Sequence, residues 1–106
     1  MKMWQKSWRE KLKKLRNKIN QIDFKIINLL GARMEVCRNI GIIKTQNNLP
    51  IYVPKRELEV IKNRQQNAGK KDLSDRFIKI IFRLIMTESK KIQKNNLNKN
   101  TKPKEK

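Results

Sequence analysis

One long apolar stripe constrains this 106-residue chain more than any other feature. Its members recur at alternating steps of three and four, which is the period of one face of an α-helix. The stripe predicts a single helix that begins within the first few residues and ends at about Lys44 or Thr45, spanning roughly 60 Å. Because a globule of this size is much narrower, such a helix needs another surface to lie against. The stripe comprises Trp4, Trp8, Leu12, Leu15, Ile19, Ile22, Ile26, Leu29, Val36, Ile40 and Ile43.

Two shorter helices are predicted to follow. Residues 46–50 interrupt the pattern, and Pro54 suits the first turn of a helix, where its missing N–H costs no hydrogen bond. The second helix is predicted over 54–67, and residues 68–71 form the next turn.

The third helix is predicted to begin after Ser74, a good N-cap residue, and to end at about Lys94. Residues 95–106 are polar and basic, so they are expected to form a disordered tail behind a helical domain over 1–94. The predicted fold is all-α, with three helices per chain. The apolar face of the third helix comprises Phe77, Ile78, Ile81, Leu84, Ile85 and Ile92.

The residue types that are scarce here limit the chemistry. The sequence has no histidine and one cysteine, Cys37, so a zinc cluster, a Ser-His-Asp triad and an internal disulfide are not expected. Three glycines do not form a phosphate-binding loop. Only 37% of residues are hydrophobic, so a single copy has a thin core and a partner subunit is expected to supply the missing contacts.

The formal charge of +19 first suggests a partner such as nucleic acid or an anionic membrane. Away from the two basic ends, however, the charges are scattered among Asn and Ile rather than grouped with aromatic residues. A basic helical module that binds nucleic acid or membranes through Trp4, Trp8 and the tail is therefore an alternative function of lower rank. The chain shows no spanning segment and no secretory signal, which favours a cytoplasmic location.

Four polar residues occupy inward positions of the predicted helices. Arg33 falls within the apolar stripe, where it needs an ion pair, water or an anion. Lys44 lies eleven residues further on and faces nearly the same way, so the two could embrace a small dianion. Ser89 and Gln93 are four residues apart on the third helix. They suggest either a lined cavity or structural hydrogen bonds.

Several motifs are distributed in order over residues 15–94. They are Leu15-Arg16-Asn17-Lys18-Ile19, Ile22-Asp23, Leu29-Leu30-Gly31-Ala32-Arg33, Ile40-Gly41-Ile42-Ile43-Lys44, Pro50-Ile51-Tyr52-Val53-Pro54-Lys55-Arg56-Glu57, and Glu88-Ser89 with Gln93. In their order and spacing they resemble the all-helical, AroQ-type chorismate mutase family. In that family three helices per chain form an intertwined homodimer, with two active sites between the subunits.

The resemblance implies that Arg16 of one chain and Arg33 of the other bind the two substrate carboxylates. The geometry agrees, because residues seventeen positions apart lie about 25 Å apart along one helix and cannot grip one small ligand. Arg16 would therefore come from the partner subunit.

The remaining site residues are also implied by the resemblance. Lys44 would reach a carboxylate and the ether oxygen of the breaking bond, and Gln93 would donate a hydrogen bond to the same oxygen. Glu57 would accept one from the ring hydroxyl, although its charge also suits the first turn of a helix. Ser89 would bind near the ring carboxylate, and Arg56 would support the site electrostatically.

The implied reaction is the conversion of chorismate to prephenate, a step of phenylalanine and tyrosine biosynthesis. It is an intramolecular rearrangement that needs no nucleophile, metal or cofactor. An isochorismate pyruvate-lyase on the same fold is the alternative enzyme. One position departs from the family: Val53 stands where an acidic residue commonly caps the second helix and contacts the substrate, so a weaker helix start is expected.

Overall fold

The computed structural model describes residues 3–99, which form three α-helices and, over that range, no strand. The helices are α1 (Met3–Gln46), α2 (Pro54–Gly69) and α3 (Asp75–Lys99). The chain divides into two compact units, Met1–Arg33 and Met34–Lys106. The all-α prediction with one very long N-terminal helix is confirmed. None of the helices in the described range carries an apolar run long enough to cross a bilayer.

The predicted end of the third helix is wrong. α3 continues to Lys99, so residues 95–99 are helical although they were expected to belong to the tail. The reason is that neither glycine nor proline occurs in this segment before Pro103, and its backbone can therefore continue the helical hydrogen bonds. Residues 100–106 of the predicted tail lie outside the described residues.

Two non-glycine residues end the first two helices. Asn48 has a φ of 55°, and the following N–H, of Leu49, donates to the carbonyl of Lys44 at 2.8 Å. This is the Schellman arrangement, in which a left-handed residue allows the last carbonyls to be satisfied. Asp72, with a φ of 58°, ends α2 in the same way. Gly69, which was predicted to lie in the turn, is instead the last residue of α2.

The starts of α2 and α3 differ in their capping. The Ser74 hydroxyl accepts a hydrogen bond from the backbone N–H of Phe77 at 3.1 Å, which confirms the predicted N-cap of α3. Val53 occupies the N-cap position of α2 in an extended conformation, and its side chain makes no capping hydrogen bond. Pro54 at the first helical position removes one of the amides that would need a partner.

The apolar core lies between α2 and α3. It consists of Val60 and Ile61 from α2 and Met86 from α3, with Phe82 packed against them. The predicted apolar face of α3 is therefore only partly correct, because Phe77 and Leu84 are exposed. Met86 and Phe82, which the periodicity did not select, lie on the side of α3 that meets α2.

The apolar stripe of α1 is not the face that packs within the chain. From Trp8 to Leu29 the stripe residues of the first unit are each at least a third exposed, and in the second unit Val36 and Ile43 are also exposed. The residues that α1 buries in the second unit are Cys37, Gly41 and Ile42. α1 thus buries two small residues and one isoleucine there, while most large apolar residues of the stripe are exposed.

Gly41 allows α1 and α3 to meet at backbone distance. A Cβ atom added at this glycine would lie 2.9 Å from the Cα and 3.0 Å from the Cβ of Gln93. Side chains do not tolerate such short contacts, and here the opposing atom belongs to the backbone of another helix. The glycine therefore sets the distance between the two helices at this point.

Replacing Val53 with threonine is expected to stabilise the protein. Threonine has nearly the shape of valine, and its hydroxyl adds the missing N-cap acceptor, so Val53→Thr should raise the free energy of unfolding by about 0.5–1 kcal/mol. Chemical denaturation followed by circular dichroism measures this change. Val53→Ala, which adds no acceptor, is the matched control and should not gain stability. A Val53→Thr protein no more stable than wild type would contradict the account of the α2 start.

Replacing Gly41 with alanine is expected to destabilise the protein. The added methyl group must push α3 away, which should cost about 1–3 kcal/mol and outweigh the better helix propensity of alanine. Gly69→Ala is the matched control, because a Cβ there has no heavy atom within 4 Å and should cost nothing. Equal stability of Gly41→Ala and wild type in the same denaturation experiment would argue against the close approach.

Candidate active site

Lys44 lies in the last turn of α1 and is half-buried. Its backbone carbonyl is fixed by the N–H of Leu49, and its ammonium group donates to the carbonyl of Ile51 at 3.1 Å. An ammonium group has three N–H donors, so this contact leaves Lys44 able to bind an anionic group as well.

Ser89 and Gln93 face inward from α3, as their spacing predicts. They are the most buried polar side chains in the described residues, with 4% and 7% exposure. The Ser89 hydroxyl donates to the carbonyl of Ile85 at 2.9 Å and lies 3.6 Å from the sulfur of Met34. The Oε1 atom of Gln93 is buried and accepts no hydrogen bond from any described residue. Because a buried amide oxygen without a donor is costly, this side chain is suited to interact with a bound molecule.

Glu57 and Lys90 form an ion pair between α2 and α3. The Lys90 ammonium lies 3.0 Å from Oε2 of Glu57, and each side chain is about a quarter exposed. The same ammonium lies 4.3 Å from the ring centroid of Tyr52, a distance at which a cation is attracted to an aromatic face. Lys90 therefore links α3 both to α2 and to the connection between α1 and α2.

These groups belong to one continuous set of contacts. The α3 backbone meets α1 at Gly41. Lys44, one turn further along α1, donates to Ile51 in the α1–α2 connection. The next residue of the connection, Tyr52, lies under Lys90 of α3, and Lys90 also pairs with α2. In order, the set contains Gln93, Gly41, Lys44, Ile51, Tyr52, Lys90 and Glu57.

None of the three predicted arginines belongs to this contact set. Arg16 is exposed and Arg33 half-buried, and both belong to the first unit. Arg56 belongs to the second unit and is exposed on α2, next to Glu57. The predicted site residues of the second unit are Lys44, Glu57 and Gln93, which are members of the set, together with Arg56 and Ser89.

The chemistry of this set favours binding and positioning of an anion. Two ammonium groups, one carboxylate and neutral hydrogen-bonding groups can hold carboxylates, accept from a hydroxyl and stabilise negative charge as it develops. Within residues 3–99, no cluster of three or more His, Cys, Asp or Glu side chains could hold a metal ion.

Four residues of the set, Gly41, Ile51, Tyr52 and Lys90, were not assigned a site role from the sequence. Ile51 takes part through its backbone carbonyl, which no side-chain pattern marks. The isolated Gly41 inside a strongly helical pattern is a signal of close backbone approach, and it could have been found. Lys90 and Tyr52 gave no such signal, because one lysine among 28 basic residues is not distinguished until its partners are known.

Comparison with known proteins identifies the family of the chain. The family model described as chorismate mutase type II matches residues 15–94. The chain is 37% identical over 83 residues to a T-protein of Haemophilus influenzae, a match covering 78% of this chain and 22% of that protein. It is 40% identical over 85 residues to a bifunctional chorismate mutase/prephenate dehydratase of Buchnera aphidicola, covering 79% of this chain and 22% of that protein.

A third relative has nearly the same length as this chain. The chorismate mutase of Methanocaldococcus jannaschii is 37% identical over 98 residues, which cover 88% of this chain and 98% of that protein. The chain thus spans about a fifth of the T-protein and the bifunctional relative, and almost all of the shorter one. With the family model covering three quarters of its length, the chain belongs to the chorismate mutase type II family.

Proposed function

We propose that this chain is a chorismate mutase, an isomerase that rearranges chorismate to prephenate. The observation that carries the proposal is the inward placement of Gln93. Its side chain is buried, and its backbone lies against Gly41 of α1, one turn before Lys44. The reaction breaks an ether bond while a carbon–carbon bond forms within one molecule. A protein accelerates it by holding the substrate in a compact reactive conformation and by stabilising the charge that grows on the ether oxygen.

The proposed roles are those that the family resemblance implies, and each is compatible with the chemistry of its side chain. Lys44 and Gln93 donate hydrogen bonds to the ether oxygen, and Lys44 also contacts a carboxylate. Glu57 accepts from the ring hydroxyl, and Ser89 binds near the ring carboxylate. The two substrate carboxylates are held by Arg33 of one chain and Arg16 of its partner, with electrostatic support from Arg56.

A homodimer is part of the proposal. The exposed stripe of α1 supports it, because soluble proteins rarely leave such a row of large apolar side chains in water. In the first unit Leu15, Ile19 and Ile22 are each more than half exposed. A twofold dimer places the same stripe of both chains in one interface and lets each site receive Arg16 from the other chain.

An activity assay with the purified chain tests the proposed function. Chorismate is added, and the loss of its ultraviolet absorbance is followed together with the appearance of prephenate. A parallel reaction with isochorismate detects pyruvate release. Prephenate formation supports the proposal, pyruvate release alone would assign the lyase activity instead, and no turnover of either compound would refute both.

The Gln93→Glu variant is expected to be active only in acid. At neutral pH its carboxylate would face the ether oxygen and repel the growing negative charge, whereas the protonated acid can donate a hydrogen bond. Rate against pH should therefore rise toward low pH in this variant and not in wild type. Gln93→Met, which cannot donate at any pH, is the control and should stay impaired throughout. Wild-type activity of Gln93→Glu at pH 8 would contradict the proposed donation.

Two inactive variants are expected to restore activity when they are mixed. Arg16→Ala and Lys44→Ala should each be nearly inactive. After co-refolding at equal amounts, about half of the dimers are mixed, and each mixed dimer has one site with both lesions and one intact site. The mixture should regain about a quarter of wild-type activity.

Separate refolding of each variant, followed by mixing without exchange, is the control and should show no gain. Absence of recovery in a sample shown by mass spectrometry to contain mixed dimers would mean that Arg16 does not act from the partner subunit.

A further inference from the structure

Lys90 joins three parts of the second unit through two different interactions. Its ammonium group pairs with Glu57 on α2 at 3.0 Å and lies over the ring of Tyr52, in the connection before α2, at 4.3 Å. The first is an ion pair and the second a cation–π contact. Neither residue that Lys90 contacts is on its own helix, so the lysine couples the position of Glu57 to that of the connection.

The surroundings of Lys90 distinguish this pair from the other ion pairs of the described chain. Lys91 lies 3.9 Å from Glu88 on the same helix, with side chains 70% and 54% exposed, whereas Lys90 and Glu57 are 26% and 24% exposed. Exposed pairs gain little because water and side-chain motion compete with them. The Tyr52 ring covers one side of the Lys90 ammonium.

The pair leaves Glu57 able to bind a hydroxyl group. A carboxylate has two oxygens with about four acceptor sites, and Lys90 pairs with Oε2. The contact therefore restrains the direction of the carboxylate and leaves Oε1 as an acceptor. The connection lacks a side-chain cap at Val53, and two lysines contact it, Lys44 at Ile51 and Lys90 at Tyr52.

We propose that Lys90 is a positioning residue that holds the Glu57 carboxylate toward the hydroxyl of the substrate, and that the Tyr52 ring keeps Lys90 in place. The inference rests on the proposed function, since it assigns the orientation of one substrate-binding group in the same site. Lys90 acts through Glu57 and does not itself contact the reacting atoms.

The first test compares two neighbouring lysines. Lys90→Met keeps most of the side-chain volume and removes the charge, and it should raise KM for chorismate about tenfold while kcat changes less than about threefold. Lys91→Met removes the same charge one residue away and should leave KM unchanged within about twofold. Since a loss of folded protein lowers kcat and leaves KM unaltered, the KM effect separates positioning from folding. Lys90→Arg, which can keep both contacts, should recover most of the loss.

The second test asks whether Lys90 acts through Glu57. In a Glu57→Gln background, adding Lys90→Met should change KM by less than about twofold, because the charge that the lysine holds is already gone. A tenfold effect that persists in this background would show that Lys90 contacts the substrate directly, and it would overturn the positioning role.

A pair of tyrosine variants tests the role of the ring and serves if Lys90→Met fails to fold. Tyr52→Phe keeps an aromatic face and Tyr52→Leu removes it, so KM should rise at least about threefold more in the leucine variant. Equal KM values for the two would overturn the role of the ring.

The outcomes separate this inference from the proposed function. An active wild-type protein whose KM does not respond to Lys90→Met refutes the positioning role alone. A wild-type protein that does not convert chorismate refutes the proposed function and this inference with it.

Discussion

The contact between the backbones of α1 and α3 at Gly41 and Gln93 determines the geometry of everything around the candidate site. Because no side chain separates the helices there, the Gln93 amide begins directly beside α1 and is buried without filling a wide interhelical space. Lys44 lies one turn further along α1, and its ammonium binds the Ile51 carbonyl. A larger residue at position 41 would move α3, and Gln93 with it, away from the helix that carries Lys44. In the proposed chemistry both side chains donate to one ether oxygen.

Two lysines contact the connection between α1 and α2 from different helices. Asn48 ends α1 in a left-handed conformation. Lys44 then binds the Ile51 carbonyl, and Lys90 lies over Tyr52. Ile51 itself is half-buried, so polar contacts and apolar burial both contribute to the place of the connection. The lysine contacts are directional, and they put two cationic groups beside the chain that leads into α2.

Periodicity predicted what depends on local sequence. The bounds of α1, the proline start of α2, the Ser74 cap, and the inward faces of Ser89 and Gln93 all follow from spacing and turn chemistry. The true packing face of α1 did not follow, because the predicted stripe missed Cys37, Gly41 and Ile42, the residues that this helix buries. The Lys90 pairing was also beyond prediction, since it depends on the register of α3 against α2. Periodicity and the family resemblance together selected the candidate residues, whereas the contacts in which they take part come from the structure.

The charge of the chain has opposite consequences for the proposed assembly and the proposed substrate. Two copies that each carry +19 repel one another, so burial of the α1 stripes, worth about 25 cal/mol per Å² of apolar surface, must exceed this repulsion. The same positive field attracts a dianionic substrate. Salt screens both interactions over a distance of about 10 Å. Raising the ionic strength therefore favours association of the chains while it weakens attraction of the substrate. The basic composition thus strengthens the attraction of an anionic substrate and weakens the association of two chains.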